Sequence, residues 1–403
     1  MALTTMLLKC EIMANVGCKR TLLRAVGVSL ACLLRVAGAH SQAAAAGEKQ
    51  PMSEDVFKNI QVLRGIPVDE FMGTMGFFAA SLGLNCVDCH TPESLENWAR
   101  FGDDTPRKNT ARRMVLMVRA INQANFGGMP TVTCNSCHRG ANRPQGMPSL
   151  EEQYGTPPPE DPDTVQIRGK GAAGPSADQI LDRYIQAVGG ARQLAKLASF
   201  TAKGTYAGFD TDREKVPIEV FAKAPNQFAT IVHTRLGINT TTYDGHAAWI
   251  AAIVEPVPLL QLTGGQLAAA EVDAALSFPV GIKQEFSTWR AGFPEVNVGD
   301  HTLQVVEGTT ATGFVVKLYF DKLSGLLVRQ TRFLKTVVGV NPMHIEYADY
   351  RLVAGIKIPF RWTVTWTDGQ STTQLTAVQP NVPIEAAKFS KPAPAPPPKF
   401  AAQ

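Results

Sequence analysis

The 403-residue chain has few charges, few cysteines and no apolar run, beyond its first forty residues, that is long enough to cross a bilayer. Charged residues make up 18% of the chain and the formal net charge is only +4. These values exclude the strongly basic surface that is typical of nucleic-acid-binding proteins. His-Glu-x-x-His and Gly-x-Ser-x-Gly are absent too, so the sequence carries neither of these metalloprotease and hydrolase signatures.

The N-terminal region has the features of an export signal. A basic segment that ends at Arg24 precedes an apolar stretch, residues 25–34, and the small residues Ala37 and Ala39 follow. The sequence therefore predicts a signal peptide at residues 1–39 and a location in the periplasm or on the extracytoplasmic face of a membrane. The alternative is an uncleaved N-terminal anchor, which would associate the protein with the membrane.

Seven cysteines occur in the chain, and the four beyond residue 39 all belong to one repeated motif, Cys-x-x-Cys-His. The motif occurs as Cys86, Cys89 and His90, and again as Cys134, Cys137 and His138. Two thiols on one helical turn reach the two vinyl groups of a haem, and the next imidazole is then held beneath the iron as an axial ligand. The pattern predicts two covalently bound haem c groups.

Two other interpretations use the same cysteines. A four-cysteine zinc site needs no histidine after each pair, and the 44 residues between the pairs exceed the usual spacing. Two disulfides are compatible with export, but they also leave both histidines unexplained. Haem attachment accounts for all six residues.

Each haem needs a sixth ligand or an open face, and a predicted helix with two methionines precedes each motif. Residues 67–83 place Met75 on an apolar face, about 12 Å along the helix from Gly83. Met72 lies on nearly the same face and competes with it. A methionine ligand opposite histidine suits an electron carrier, whereas an open face suits peroxide chemistry.

The second of these helices is predicted for residues 109–122. Its apolar face contains Met114 and Met117, and the helical pattern alone leaves the choice between them open as it does for the first pair.

These segments resemble the cytochrome subunit of photosynthetic reaction centres. The resemblance extends over about residues 54–144 and rests on residues 56–67, 71–76, 82–90, 110–122 and 132–140. It implies that Met75 is the second axial ligand of the haem at the first motif. It implies that Met114 has the same role at the second motif.

The sequence also departs from that family. Reaction-centre members carry four haems, whereas this chain has two motifs, and no histidine occurs between Asn122 and Val132, where the family has a ligand of a further haem. The chain therefore resembles a two-haem relative. Its expected partner is a redox protein, either a membrane complex or a photosynthetic reaction centre; nucleic acid is not expected.

Residues 145–175 are rich in proline and glycine and predict a linker. The segment from Gly169 to Gly174 matches Gly-x-Gly-x-x-Gly, but Pro175 follows directly and the preceding strand is too short for a dinucleotide-binding unit. The linker would separate a dihaem domain at residues 50–144 from a second domain.

Residues 176–388 combine short helices with period-two strands and predict an α+β domain with a curved antiparallel sheet. This domain resembles the half-barrel of periplasmic lipoprotein carriers, and a cavity under its sheet would suit an apolar ligand. The Pro-rich tail, residues 389–403, is predicted to be disordered. The expected fold is thus multidomain, with a mainly α-helical dihaem cytochrome c domain followed by the α+β domain.

This organisation predicts an electron carrier rather than an enzyme. A dihaem oxidoreductase such as a peroxidase, with one open haem, is the first alternative. The second is an envelope protein that binds a lipid or a partner and carries its haems as accessories.

Overall fold

The computed structural model describes residues 50–95, 97–156, 161–167, 174–253, 255–293 and 295–396. The predicted signal peptide lies outside the described residues. Lys49–Gln403 group into one compact unit. Among the described residues, no helix combines the length and the apolar character that a bilayer span requires.

The helices of the N-terminal region are α1 (Ser53–Val56), α2 (Val68–Leu82), α3 (Cys86–Cys89), α4 (Pro106–Phe126), α5 (Cys134–His138) and α6 (Leu150–Tyr154). Four more accompany the sheet: α7 (Ala177–Ala187), α8 (Ala191–Leu194), α9 (Gly264–Ser277) and α10 (Ile282–Glu285). The helices predicted around both methionine pairs are confirmed. Helix α4 begins before its predicted start because Thr105 caps the Lys108 amide and Pro106 occupies the first turn.

Fifteen strands form one open antiparallel sheet. They are β1 (Gln166–Ile167), β2 (Ser199–Gly208), β3 (Val216–Lys223), β4 (Gln227–His233), β5 (Ile238–Tyr243), β6 (Ala248–Ala251), β7 (Leu260–Leu262), β8 (Thr288–Phe293), β9 (Val296–Val298), β10 (His301–Thr309), β11 (Val315–Asp321), β12 (Leu327–Thr336), β13 (Gly339–Val353), β14 (Ile356–Trp366) and β15 (Gly369–Pro380). Their order is β1-β8-β10-β11-β12-β13-β14-β15-β2-β3-β4-β5-β6-β7, with β9 paired to β10. The sheet does not close, because β1 and β7 are its two free ends.

The main hydrophobic core lies between one face of this sheet and its helices. Helix α7 contributes Leu181 and Tyr184, α9 contributes Val272, and alternate residues of β11 such as Leu318 face them. The short helices and period-two strands expected for residues 176–388 are therefore confirmed. We call this side of the sheet the inner face and the opposite side the outer face.

Helix α2 joins the N-terminal helices directly to the sheet. The Asn341 side chain donates a hydrogen bond to the Gly73 carbonyl at 2.7 Å, and the Asp69 carboxylate accepts one from the Thr263 amide at 3.2 Å. These contacts attach the helix that carries Met75 to the β12–β13 turn and to the start of α9. The position of this methionine helix is therefore set by the sheet.

The predicted linker contains ordered residues on the outer face. The Asp163 carboxylate accepts hydrogen bonds from Tyr319 at 2.6 Å, Thr331 at 3.0 Å and His344 at 2.7 Å. The Lys317 ammonium donates to the Asp163 carbonyl at 2.5 Å. Strand β1 then pairs with β8, so this part of the segment is fixed to the sheet by contacts that its composition does not reveal.

We expect Asp163→Asn to lower the free energy of unfolding by about 2 kcal/mol at neutral pH. Burial alone would raise the pKa of Asp163, but the hydrogen bonds from His344, Tyr319 and Thr331 outweigh it and hold the pKa at about 2, against 3.8 ordinarily. Because the folded-state pKa is depressed, this stabilisation is present above about pH 4 and is lost as the pH falls towards 2.

Urea unfolding of both proteins across this pH range measures the effect. Asp212→Asn, at an exposed position, is the matched control and should leave the unfolding free energy nearly unchanged. A difference between wild type and Asp163→Asn that stays constant as the pH falls would contradict the assignment.

The C-terminal segment packs against the sheet as far as it is described. Phe389 is fully buried beside Phe221 and Ala229, and the Ala395 amide donates to the Pro258 carbonyl at 2.8 Å. Disorder is predicted for this segment from its proline content, and residues 389–396 depart from that prediction because one aromatic side chain anchors them.

Candidate functional site

The second Cys-x-x-Cys-His motif forms the single-turn helix α5. Thr133 precedes it and accepts a hydrogen bond from the Ser136 amide at 3.3 Å, while Ser136 accepts one from the Thr133 amide at 3.0 Å. This reciprocal capping box gives the turn a defined start. It places Cys134, Cys137 and His138 on one short element.

The imidazole of His138 is oriented by the chain that follows it. Its Nδ1 lies 3.0 Å from the Ala141 carbonyl oxygen. A carbonyl only accepts hydrogen bonds, so Nδ1 carries the proton and Nε2 keeps a free lone pair in the neutral ring. This is the arrangement of a histidine that ligates a metal through Nε2, with its other nitrogen hydrogen-bonded to the backbone.

A cavity of about 290 Å³ lies between α2, α4 and α5. Its lining is mostly apolar and includes the thiols, imidazole and thioether predicted for the second haem: Cys134, Cys137, His138 and Met114. Phe78, Leu82 and Val118 contribute apolar surface. Two thiols, one imidazole and one thioether around an apolar space are the donor set that a His/Met-ligated haem c requires, so these residues fit that group.

The two methionines of α4 differ in exposure. Both line the cavity, but Met117 is 45% exposed whereas Met114 is half-buried. Met114 is therefore the more shielded of the two methionines.

The first motif forms helix α3. A second reciprocal capping box, between Asn85 and Asp88, starts this helix. Asn85 and Asp88 each accept a hydrogen bond from the other's amide, at 3.2 Å and 2.9 Å. The Thr105 hydroxyl donates to the Cys89 carbonyl at 2.6 Å. In the sequence, each box has a polar residue three positions before its polar partner.

His90 has a buried ring nitrogen, Nδ1, without a hydrogen-bond partner in the described structure. Burial, with a smaller effect of the Lys108 charge, lowers the pKa of His90, and this favours the neutral ring that ligates iron. Nδ1 of His90 lacks the backbone partner that Nδ1 of His138 has, so the two imidazoles are held differently in the described structure.

The other predicted ligand of the first haem is not in the cavity described above. Met75 packs in a small apolar cluster with Phe71, Phe77 and Val115, and Cys134 of the second motif touches the same cluster. Met72 lies there as well. The structure thus brings together the four predicted residues of the second motif, with Cys89 on the same cavity wall, but not the four of the first.

The thiols lack the character of redox-active cysteines. Burial raises the pKa of Cys86, Cys89 and Cys134, whereas reactive cysteines have lowered values. Within the part of the chain that the structure describes, no three Cys, His, Asp or Glu side chains are placed to bind a metal ion together.

The two motifs meet through backbone contacts. The Gly140 amide, just after the second motif, donates to the Ser81 carbonyl at 2.9 Å. Gly83 ends α2 with a φ of +63°, and a Cβ there would lie 2.2 Å from the Gly140 carbonyl oxygen. Only glycine satisfies both the left-handed backbone and this close approach.

A pair of hydrogen bonds from the Asn122 side chain positions the second motif. The Asn122 amide group donates to the Val132 carbonyl at 2.7 Å and its oxygen accepts from the Val132 amide at 2.9 Å. Asn122 is buried. Its role depends on a contact ten residues away, which no local pattern reveals.

Solved structures resemble the sheet-containing part of the chain at low similarity. A LolA superfamily protein from Nitrosomonas europaea has a TM-score of 0.38 and 14% identity, and the match covers 54% of this chain and 99% of that one. A putative outer membrane lipoprotein-sorting protein domain from Vibrio parahaemolyticus has a TM-score of 0.37 and 9% identity, over 53% of this chain and 95% of that one.

Curated relatives match the region of the two motifs. The photosynthetic reaction center cytochrome c subunit of Thermochromatium tepidum is 38% identical over 104 residues, which is 24% of this chain and 24% of that protein. That of Roseobacter denitrificans is 30% identical over 102 residues, 24% of this chain and 27% of that protein. The chain thus spans about a quarter of the length of these relatives. Residues 33–173, which include both motifs and the cavity, match the family described as photosynthetic reaction centre cytochrome C subunit.

Proposed function

We propose that this protein is an exported c-type cytochrome that carries electrons between redox partners through two covalently bound haems. The cavity that brings Cys134, Cys137, His138 and Met114 together is the observation that carries the proposal. The resemblance to cytochrome c subunits over residues 33–173 supports it.

The proposed second site uses residues with distinct tasks. Cys134 and Cys137 would hold the haem through thioethers, and His138 and Met114 would ligate its iron. A bound haem c would supply one-electron exchange. The Ala141 carbonyl holds the imidazole ring in place, and the apolar lining of the cavity would limit the access of water.

The proposed first site consists of Cys86, Cys89, His90 and Met75. Its thiols and histidine follow the same Cys-x-x-Cys-His motif as those of the second site. Met75 lies in an apolar cluster of α2 and would be the second axial ligand, as the resemblance to cytochrome c subunits implies. Attachment of haem c is made outside the cytoplasm, which agrees with the proposed export signal.

Counting the haems tests the proposal. Purified, fully matured protein should give a pyridine haemochrome absorbance of two haems per chain, and the pigment should stay with the protein in acidified acetone. Optical spectra of the ferric and ferrous forms should show both irons low-spin. One high-spin iron would favour the dihaem oxidoreductase instead, and a colourless protein would contradict the proposal.

A second binding function is supported by the inner face of the sheet. A cavity of about 310 Å³ lies under it, lined mainly by apolar side chains that include Phe200, Val220 and Trp362. We propose that it takes an apolar ligand such as a lipid. Native mass spectrometry after gentle purification should show the bound ligand, and Val220→Trp, which fills the cavity, should remove it.

A further inference from the structure

The charge of this protein is concentrated around the second motif. Residues 105–150 contain seven arginines and lysines and not one aspartate or glutamate, whereas the whole chain has a net charge of only +4. The rest of the chain is therefore net acidic. A region with one sign of charge attracts partners of the opposite sign over a distance.

Only some of these cations are neutralised by the protein itself. Arg107 pairs with Asp88 and Arg112 with Asp104, and Lys108 donates to two backbone carbonyls. The remaining four form no ion pair among the described residues and are exposed: Arg113, Arg119, Arg139 and Arg143. These four arginines are free to meet carboxylates of another molecule.

Two of these arginines, Arg113 and Arg119, lie on α4, which also carries an exposed apolar strip. Arg113, Leu116, Met117 and Ala120 fall at i, i+3, i+4 and i+7 and are all exposed, with Leu116 at 54% and Met117 at 45%. The opposite side of the helix is buried through Val115 and Val118. An apolar centre with a charged rim is the usual composition of a docking surface, and methionine and arginine are enriched there.

Met117 connects this surface to the second site, because its side chain also lines the cavity with Met114 and His138. A group held in that cavity is within one helix diameter, about 10 Å, of the exposed face. A partner seated on the strip would therefore be within electron-transfer reach of the proposed second haem.

We propose that the exposed face of α4, from Arg113 to Ala120, is the docking surface for a small acidic redox protein. This inference rests on the proposed function and adds the partner's chemistry: an apolar contact area surrounded by carboxylates. Guanidinium groups pair with carboxylates in a bidentate manner that ammonium groups cannot match. The face from Arg113 to Asn125 has no aromatic residue, which distinguishes it from helices that bind membrane surfaces.

A plant-type ferredoxin, which is small and acidic, serves as the probe. Its binding to the fully matured protein is measured by titration calorimetry at about 10 mM ionic strength and again at about 150 mM, where screening shortens the Debye length from about 30 Å to about 8 Å. Binding should be at least ~10-fold weaker at the higher ionic strength. Stopped-flow absorbance then follows the transfer in which the reduced ferredoxin loses one electron and one ferric haem iron gains it.

The variant Arg113→Glu/Arg119→Glu should weaken binding at low ionic strength about 10-fold or more and slow association in parallel. Arg192→Glu/Lys203→Glu makes the same charge change at exposed positions of the C-terminal region and should alter binding less than about twofold. Equal losses in both variants would overturn the docking surface.

Two further measurements separate the other outcomes. If the Arg113→Glu/Arg119→Glu variant loses binding to phosphatidylglycerol vesicles but keeps ferredoxin binding, α4 faces a membrane and the proposal is wrong.

Haem content is counted in every sample, so a colourless protein contradicts the proposed function whatever calorimetry shows. Basic mitochondrial cytochrome c, the opposite-charge probe, should not bind; binding that equals that of ferredoxin contradicts the charge argument.

Discussion

A protein in which Cys134 and Cys137 are both replaced by serine should carry one covalent haem instead of two. The serine hydroxyls cannot form thioethers, so His138 and Met114 alone would have to hold a haem at the second site. The pyridine haemochrome absorbance per protein should fall to about half, and any remaining haem at this site should be extracted by acidified acetone.

Asn135→Ser is the matched control for this variant. Asn135 lies between the two cysteines on α5 and is exposed, so this change should leave two haems. Circular dichroism checks that the sheet still forms, because its core does not involve the second motif. A double-serine protein with full, non-extractable haem content would show that Cys134 and Cys137 are not attachment points.

Met114→Ala should change the spectrum and lower the reduction potential of one haem only. Removing the thioether leaves an open face or admits water, and both lower the preference for ferrous iron that the thioether provides. A shift on the order of 0.1 V is expected for a change of axial ligand. A spectroelectrochemical titration should resolve this haem from its unchanged neighbour.

The matched control is Met117→Ala, three residues along the same helix. Because Met117 is 45% exposed, its loss should leave the spectrum low-spin and the potential within about 0.03 V of the original, as no ligand is removed. If Met117→Ala rather than Met114→Ala produces the high-spin form, the ligand assignment is reversed. If neither does, the second site has another ligand or none.

Local patterns predict much of this fold. Pro67 and Gly83 bound α2 as the sequence predicts, and the Ser176–Gln179 capping box opens α7. The β11–β12 hairpin also follows from its alternating pattern and turn. These features depend on neighbours within a few residues, and therefore a single sequence contains their signal.

Contacts between distant segments account for what the sequence does not predict. Asp163 looks like a linker residue until Tyr319 and His344 surround it from strands more than 150 residues away. The Asn341 contact that seats α2 on the sheet spans 268 residues. The same holds for the candidate site. The spacing of the motifs predicts its thiols and histidines, whereas the fold is needed to show which methionine of α4 is shielded from water.

The backbone contact between Ser81 and Gly140 also has a mechanical consequence. Helix α2 leads into the first motif and Gly140 follows the second, so their hydrogen bond ties the two proposed haem-attachment segments to each other. Porphyrins anchored on either side of that joint would move together, and the gap that an electron tunnels across would change little when the rest of the chain bends. Peptide groups rather than side chains make this contact. The distance between the porphyrins would therefore tolerate surface substitutions throughout the region, provided that Gly83 and Gly140 are retained.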